Sequence, residues 1–538
     1  MRLPTWKLAA LSVAVVLVFV LPAVDAAQLQ PSLEGDGRPD CSSHAYPFLI
    51  WLRDSVVEVI FGKPSTRAKS SRPDAVLQSL YRNDVVIRFN VTASEEESAL
   101  AMAAQQMFLD VWAFTPEYVD VRVNKDDVAS LLTLLPNSLQ PSVLIPDVAA
   151  AVWRTYPSTA VEKSEFESSM ADPAKTRTSL DGVGNVFFSN YQTLPVIASW
   201  MRLLEAMFPS ITQMISIGKS YEGRDIYAMR VSAQSDDGQT KAPRQTILVT
   251  GGLHGREWIS TSTVNYLLWS VITLYEKETM ITRLLQRFDV VFIPSLNPDG
   301  YEYTWQTNRL WRKSRQQTKL RFCRGLDLDH AFGYAWDAVQ DQADPCSESY
   351  GGEQPFQAVE ASELAKWAKN ETESGAKFVA FLDLHSYAQQ VLFPYAYTCS
   401  VDPPNLENLE ELAIGLAKAI RLSSGETYSV MSACEGAVAR TDNAGDVLPR
   451  IEAGGGSAID WFYHELRTRY SYQIKLRDTG SYGFLLPSEN IVPTGEETLN
   501  ALKYLGDYLL GNNGIEEYSS QPSPDEWREL KRRKEWEG

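Results

Sequence analysis

Residues 245–260 read QTILVTGGLHGREWIS, and this stretch decides the fold of the chain. It contains a nearly continuous apolar run, Ile247 to Val249, which is typical of a strand buried on both faces between helices. Glycine residues follow the run, and His254 and Glu257 come soon after them. An H-x-x-E pair on its own is a weak indication of a metal site, because such pairs also occur by chance in surface loops.

A second apolar run, Phe378 to Leu382, is followed in the same way by His385. In such sheets the functional side chains collect at the carboxyl ends of the strands, so we expect His254, Glu257 and His385 to meet. Two histidines and one glutamate, with a fourth position left open, form the ligand set of a hydrolytic zinc ion. The chain contains only five histidines, which makes this placement informative.

The overall composition narrows the class of protein and its partners. The 538 residues, 44% of them hydrophobic, leave room for two or three domains with real cores. The net charge of −18 argues against nucleic acid or an anionic membrane as a partner, because both are polyanions. We expect a monomer.

The first residues are predicted to direct export. Arg2 and Lys7 precede an apolar run from Leu8 to Leu21, and small residues suited to cleavage follow, so residues 1–26 are interpreted as a signal peptide. The run is too short for a stable membrane span, and a retained signal anchor is the alternative interpretation. We therefore expect a secreted protein, with the vacuole as the other destination.

Two further features fit the secretory route. Asn90 and Asn370 begin N-x-T sequons, which are glycosylated only on that route. The five cysteines fit an oxidising compartment with one or two disulfides.

The segment before the first histidine motif divides into a small domain and a linker. Residues 40–154 are interpreted as a small α+β open sandwich, with a strand through Val85 and Phe89 and a helix opened by a capping box of Ser94 and Glu97. Residues 155–185 are polar and are predicted to be an exposed linker. Lys175 and Arg177 in this linker are candidate processing sites for a trypsin-like protease.

The remainder is predicted to be one large domain, residues 186–512, followed by a charged tail, residues 513–538. Besides the two runs that precede the histidines, a third apolar run, Val290 to Ile293, is predicted to be a buried strand of this domain.

Four ordered motifs of the large domain match one known family. They are HGREWIS at 254–260, TNRLWRKSR at 307–315, DLHSY at 383–387 and LRDTGSYGFLLP at 476–487. In these strings the large domain resembles the zinc metallocarboxypeptidases of the pancreatic carboxypeptidase type, and the small domain resembles their inhibitory prosegment. The resemblance implies a three-layer α/β/α fold with a mixed central sheet.

The resemblance also assigns roles to individual residues. It implies that His254, Glu257 and His385 bind one zinc ion and that Asp327 orients a ligating imidazole. It places Arg312 where the scissile carbonyl is polarised. Further substrate contacts fall on Arg256, Ser386 and Tyr387. A disulfide is implied between Cys323 and Cys346, and Cys399 and Cys434 could form a second one that leaves Cys41 unpaired.

The general base of the family is missing. Active members carry a glutamate two residues before the RDTG string, where it takes a proton from the attacking water. Here that position is Lys475. An ammonium group cannot accept a proton, and beside a dication it adds repulsion.

The residues that receive the substrate are altered as well. The arginine that clamps the terminal carboxylate falls on His330, and the neighbouring asparagine falls on Asp329, so a permanently charged fork is replaced by an imidazole and a carboxylate. The mobile tyrosine falls on Glu452, or on Ile451 if the segment shifts by one residue. Ile459 with nearby glycine and alanine residues indicates an uncharged specificity pocket.

These departures resemble the fungal inactive metallocarboxypeptidase-like proteins that are associated with cell-wall organisation. The main hypothesis is a zinc-binding pseudoenzyme whose cleft recognises peptide or protein C-termini or wall components. The alternatives are an active zinc metallocarboxypeptidase of unusual specificity, in which Asp329, Glu452 or a neutral Lys475 acts as base, and a protein whose zinc is purely structural.

Overall fold

The computed structural model describes residues 79–157, 186–233, 244–336, 344–435 and 455–511. The predicted signal peptide, the candidate processing sites, the charged tail, Cys41 and Glu452 lie outside these described residues. No helix within them is long and apolar enough to cross a membrane.

In the part of it that the structure describes, the small domain contains one antiparallel sheet and three helices. Its strands are β1 (Asp84–Asn90), β2 (Asp110–Phe114), β3 (Tyr118–Asn124) and β4 (Pro141–Ile145), and its helices are α1 (Ser94–Met107), α2 (Val128–Leu134) and α3 (Val148–Thr155). The strands lie in the order β2-β3-β1-β4, and each neighbouring pair is antiparallel.

The sheet of the small domain is covered on both faces. Val85, Ile87 and Phe89 pack in a small core that also contains residues of α1 and α2. Val86, which points the other way because side chains alternate along a strand, belongs to the main core of the large domain, as does Trp112. The two domains are therefore joined by shared apolar packing.

The capping box predicted for Ser94 and Glu97 was wrong by one residue. The N-cap is Ala93, which has an extended backbone, and Glu96 is the side chain that reaches back. Its Oε2 accepts hydrogen bonds from the backbone N–H groups of Thr92 at 2.9 Å and Ala93 at 3.2 Å. Because the helix begins one residue earlier than the Ser-x-x-Glu pattern indicates, the third helical position falls on Glu96.

The large domain contains an eight-stranded mixed sheet in the order β11-β10-β12-β9-β7-β8-β6-β5. Its strands are β5 (Thr212–Lys219), β6 (Asp225–Val231), β7 (Gln245–Gly251), β8 (Phe288–Ile293), β9 (Lys377–Ser386), β10 (Gln390–Phe393), β11 (Ser429–Ser432) and β12 (Tyr470–Leu476). Its helices are α4 (Leu194–Met207), α5 (Trp258–Leu274), α6 (Thr279–Arg287), α7 (Pro298–Gln306), α8 (Val359–Glu373), α9 (Leu406–Ser424), α10 (Ala458–His464) and α11 (Ile491–Leu509). The predicted fold class, an α/β sheet flanked by helices, is confirmed.

The order of the strands positions the candidate site. Strands β8, β7, β9 and β12 are consecutive and parallel, so their carboxyl ends reach the same edge of the sheet. Their cores are apolar, and Leu248, Phe381 and Ile474 are fully buried. The residues that directly follow these four strands therefore lie together at one edge of the buried sheet.

Candidate metal centre and cleft

His254, Glu257 and His385 meet at that edge of the sheet. His254 Nδ1 lies 2.8 Å from Glu257 Oε1, and His385 Nδ1 lies 3.2 Å from Glu257 Oε2. The donor atoms of the three residues lie within 4.8 Å of one another, and each residue is 2% exposed. The sequence therefore identified three residues that the fold brings to one point.

The turn after β7 allows this approach. Gly252 has a φ of +61°, and a Cβ atom there would lie 2.6 Å from Thr261 Oγ1 and 3.0 Å from Pro294 O. A larger residue would meet both strain and a close contact. Gly252 thus lets the chain turn sharply after β7. The turn brings Glu257 next to His385 at the end of β9.

Each histidine has a carboxylate on its far side. His254 Nε2 lies 2.9 Å from Asp327 Oδ1, and His385 Nε2 lies 3.1 Å from Asp383 Oδ2. Both carboxylates are fully buried. Because each contacts the Nε2 atom of its histidine, the two Nδ1 atoms face Glu257. Outer carboxylates of this kind fix the tautomer and the orientation of a metal-binding imidazole.

Asp383 was missed in the sequence analysis. It lies two residues before His385 on β9, and residues two apart on a strand share a face. The D-x-H spacing within a predicted strand was the signal that could have found it.

The residues present fit a zinc ion. Two imidazole nitrogens and one carboxylate that converge on a buried point are the donors that zinc prefers in hydrolytic sites. When bound there, zinc would be held by His254, Glu257 and His385, while Asp327 and Asp383 orient the two imidazoles.

The variant Asp383→Asn is expected to lower zinc affinity by about 10- to 100-fold, the usual effect of removing an outer carboxylate. Competition with a chromogenic chelator measures the change. Asp402→Asn, which alters an exposed carboxylate, is the matched control. Equal affinities for the Asp383 variant and the parent protein would contradict an orienting role.

Arg312 is bound to the carboxylate that also orients His254. Its Nε and Nη2 atoms donate to Asp327 Oδ2 at 3.1 Å and 2.9 Å. Burial by itself would raise the pKa of Asp327, but Arg312 and His254 hold that pKa well below its ordinary value. Asp327 is therefore ionised and connects the predicted carbonyl-polarising arginine to the metal centre.

Lys475 lies beside His385 in the sheet. The two residues are paired in the parallel ladder of β12 and β9, so their side chains project from the same face. Lys475 is half-buried, and its side chain has no hydrogen bond or ion pair with another described residue. An ammonium group thus projects from the face that carries the metal centre.

Asp329 and His330 lie on a short 3-10 turn, Leu328–His330, next to the centre. Asp329 Oδ2 accepts a hydrogen bond from Gln473 Nε2 at 2.8 Å, and Ser457 Oγ lies 3.4 Å from Asp329 Oδ1. His330 Nδ1 lies 3.3 Å from Gly455 O.

The predicted substrate contacts Arg256 and Tyr387 are engaged by the small domain. Arg256 Nη1 donates to Asp110 Oδ1 at 2.8 Å, and the Tyr387 hydroxyl donates to Asp120 Oδ2 at 2.8 Å. Arg88 also binds Asp120 through two hydrogen bonds. Carboxylates of the small domain therefore cover these two residues of the cleft.

The variant Asp110→Asn is expected to destabilise the protein by about 3 kcal/mol, because it leaves the buried Arg256 cation without its carboxylate. Burial opposes the ionisation of Asp110, but Arg256 and Arg122 lower its pKa below the ordinary value. The stabilising effect should therefore be complete above a pH of about 4 and decline as the pH falls further.

Denaturant unfolding at several pH values tests this expectation, with the exposed Asp126→Asn as the control. A loss that is equal for both variants, or one that does not depend on pH, would rule out a specific Asp110–Arg256 interaction.

The remaining predicted residues are placed as follows. Ser386 and Ile459 are buried, and the Ser386 N–H donates to Glu257 Oε2. Asn90 and Asn370 are exposed. The structure joins Cys323 to Cys346 and Cys399 to Cys434.

A mixed sheet that holds two histidines and one glutamate at its carboxyl edge defines a metallocarboxypeptidase scaffold. The chain belongs to the zinc carboxypeptidase family, since residues 197–501 match the family model of that description. Thrombin activatable fibrinolysis inhibitor is a similar solved structure, with a TM-score of 0.63 and 26% sequence identity over 80% of this chain and 100% of that one.

Two curated fungal relatives are similar over most of the chain. One from Sclerotinia sclerotiorum is 53% identical over 545 residues, which cover 95% of this chain and 91% of the relative. One from Paracoccidioides brasiliensis is 51% identical over 503 residues, which cover 89% and 84%. Both are named inactive metallocarboxypeptidase ECM14.

Proposed function

We propose that this protein is a secreted zinc-binding pseudoenzyme that uses a carboxypeptidase cleft for recognition. The observation that carries the proposal is Lys475 at the position of the catalytic base. It is paired with His385 on the neighbouring strand, so no carboxylate projects from β12 beside the metal centre at this position. The names of the fungal relatives support the same conclusion.

Proton transfer is the step that this chain cannot perform in the usual way. Zinc supplies Lewis acidity that activates water, but a base must still take the proton. A positioned general base contributes about 100- to 10,000-fold, and the Lys475 ammonium has no lone pair to offer. Arg312 is present at the position to which the resemblance assigns carbonyl polarisation, so we expect peptide binding without proton transfer.

A residual activity is the second candidate function, and one observation favours it. A carboxylate oxygen of Asp329 lies within 4.8 Å of a donor atom of His385, which makes Asp329 a substitute base near the centre. Chelator-sensitive hydrolysis of peptides would identify this case.

We also propose a cellular location for the protein. The predicted signal peptide and the two disulfides in the described residues support a secreted or vacuolar protein. We further propose one zinc ion per chain, a monomeric state, and a role in cell-wall organisation through binding of peptide ends or wall components.

The test is zinc analysis of the purified full chain together with hydrolysis assays on a panel of peptides with varied C-termini. One equivalent of zinc without turnover is the expected result. Chelator-sensitive turnover would overturn the pseudoenzyme assignment, and a protein without zinc would overturn the metal-binding one.

A further inference from the structure

Residues 312–324 are rich in cations although the chain as a whole is acidic. The segment contains four arginines and two lysines and no aspartate or glutamate, whereas the chain carries a net charge of −18. Arg312 and Lys319 form ion pairs, and Lys313 donates to two backbone carbonyl oxygens. The side chains of the other three cations have no hydrogen bond or ion pair with another described residue; they are Arg315, Arg321 and Arg324.

Arg315 is buried without an anionic partner. It is 9% exposed, and its Nε atom is buried and has no hydrogen-bond partner among the described residues. Its guanidinium carbon lies 3.5 Å from the centre of the Tyr303 ring and 4.4 Å from that of Trp311. These rings attract the cation, but they leave its N–H donors without an oxygen acceptor in the described part of the chain. Buried charges are normally paired or bound to a ligand.

The carboxylates nearest in charge to Arg315 are bound by another arginine. Burial lowers the pKa of Arg315, and Glu222 and Asp299 act in the opposite direction. Both carboxylates accept a hydrogen bond from Arg224 Nη1, at 2.5 Å and 2.7 Å. Neither is therefore the partner of Arg315.

Arg324 is a like-charged neighbour of Arg315. Two backbone hydrogen bonds, of 2.9 Å and 2.8 Å, join residues 314–316 to residues 325–326, so the chain segments that carry the two arginines lie side by side. Arg324 lowers the pKa of Arg315 beyond the effect of burial, as a nearby positive charge does. Two adjacent cations without a carboxylate partner in the described residues would both be stabilised by one anion.

The two arginines are open to a ligand from outside. Arg324 is half-buried, and so are the two rings, Tyr303 and Trp311, that hold the Arg315 guanidinium. Phe322, on the same loop as Arg324, is 83% exposed. The guanidinium of Arg315 is thus held in place next to solvent.

We propose that Arg315 and Arg324 together bind a phosphate group. A planar carboxylate has two oxygens and matches one guanidinium fork. A phosphate monoester has three terminal oxygens and a charge of about −1.5 to −2 at pH 7, so it can accept hydrogen bonds from two guanidinium groups at once. The proposal depends on neither the zinc ion nor the pseudoenzyme assignment.

The test is isothermal titration calorimetry of the zinc-loaded full chain at constant ionic strength, because salt screens exposed charges. The probes are inorganic phosphate, glucose 6-phosphate and O-phosphoserine, with glucose and serine as controls that lack the phosphate. We expect the three phosphates to bind and the two controls not to bind. Tighter binding of one ester than of inorganic phosphate would identify a sugar or a phosphorylated side chain as the carrier.

Two variants locate the binding site. Arg324→Gln should weaken the binding of all three phosphates by about 10- to 100-fold, the effect of losing charge-assisted hydrogen bonds. Arg315→Lys, which retains the charge but not the fork, should weaken it as well. Arg421→Gln, at an exposed arginine of α9, should leave the affinity unchanged. Because Arg324 is only half-buried, the test does not depend on the stability of the Arg315 variant.

Zinc can also bind phosphate, so the titrations are repeated after the metal is removed with a chelator. We expect the affinity to remain and to stay sensitive to Arg324→Gln. Binding that disappears with the zinc, binding that is equal in the Arg324 and Arg421 variants, or no binding of any phosphate would overturn the proposal.

Discussion

The triple variant Lys475→Glu/Asp329→Asn/His330→Arg is expected to convert the protein into a working carboxypeptidase. It introduces a carboxylate beside His385 and a guanidinium at the position of His330, while the candidate metal ligands and Arg312 are unchanged. The base alone should contribute about 100- to 10,000-fold in rate. Release of C-terminal residues from peptides is the measurement, with and without a zinc chelator.

The matched control is Lys475→Met in the same background, which removes the ammonium without supplying a base and should stay inactive. The assay is run before and after limited trypsin treatment, because Lys175 and Arg177 lie in the predicted linker and the small domain covers Arg256 and Tyr387. If the Met and Glu variants are equally active, proton transfer is not the missing step and Lys475 acts only through its charge.

The second large effect concerns the metal itself. His385→Ala removes one of the three donors and the partner of Asp383, so zinc affinity should fall by more than the roughly 100-fold upper range for an outer carboxylate. Because a ligand that binds only the folded state stabilises it, zinc at 1,000 times its Kd adds about 4 kcal/mol to the parent protein. At the same zinc concentration this increment should fall below about 1.4 kcal/mol in the variant.

Zinc titration followed by denaturant unfolding measures both quantities. His464→Ala, which removes a partly buried histidine that stacks on Tyr334 away from the centre, is the control and should retain stoichiometric zinc. Stoichiometric zinc in the His385 variant would mean that the metal binds elsewhere. If zinc binds but leaves the unfolding of the parent protein unchanged, the purely structural reading of the metal is wrong.

The sequence predicted the candidate metal centre best where a histidine, which is rare in this chain, follows a buried strand. The apolar runs before His254 and His385 indicated buried parallel strands, and with only five histidines in the chain their positions after those runs predicted the centre. The change at Lys475 was also visible, because the motif around it fixes the alignment to a single residue. Local pattern was less reliable at α1, where Glu96 rather than Glu97 caps the helix.

Short motifs of the sequence predicted the family, which the comparisons confirm, and three candidate metal ligands, which the fold brings together. The lysine at the predicted position of the base was also visible, because these features depend on residue identity within short motifs. Only the tertiary structure showed that Asp110 and Asp120 of the small domain bind Arg256 and Tyr387. These contacts join residues up to 267 positions apart. Side chains at such separations are brought together by the packing of strands and domains, which no local pattern specifies.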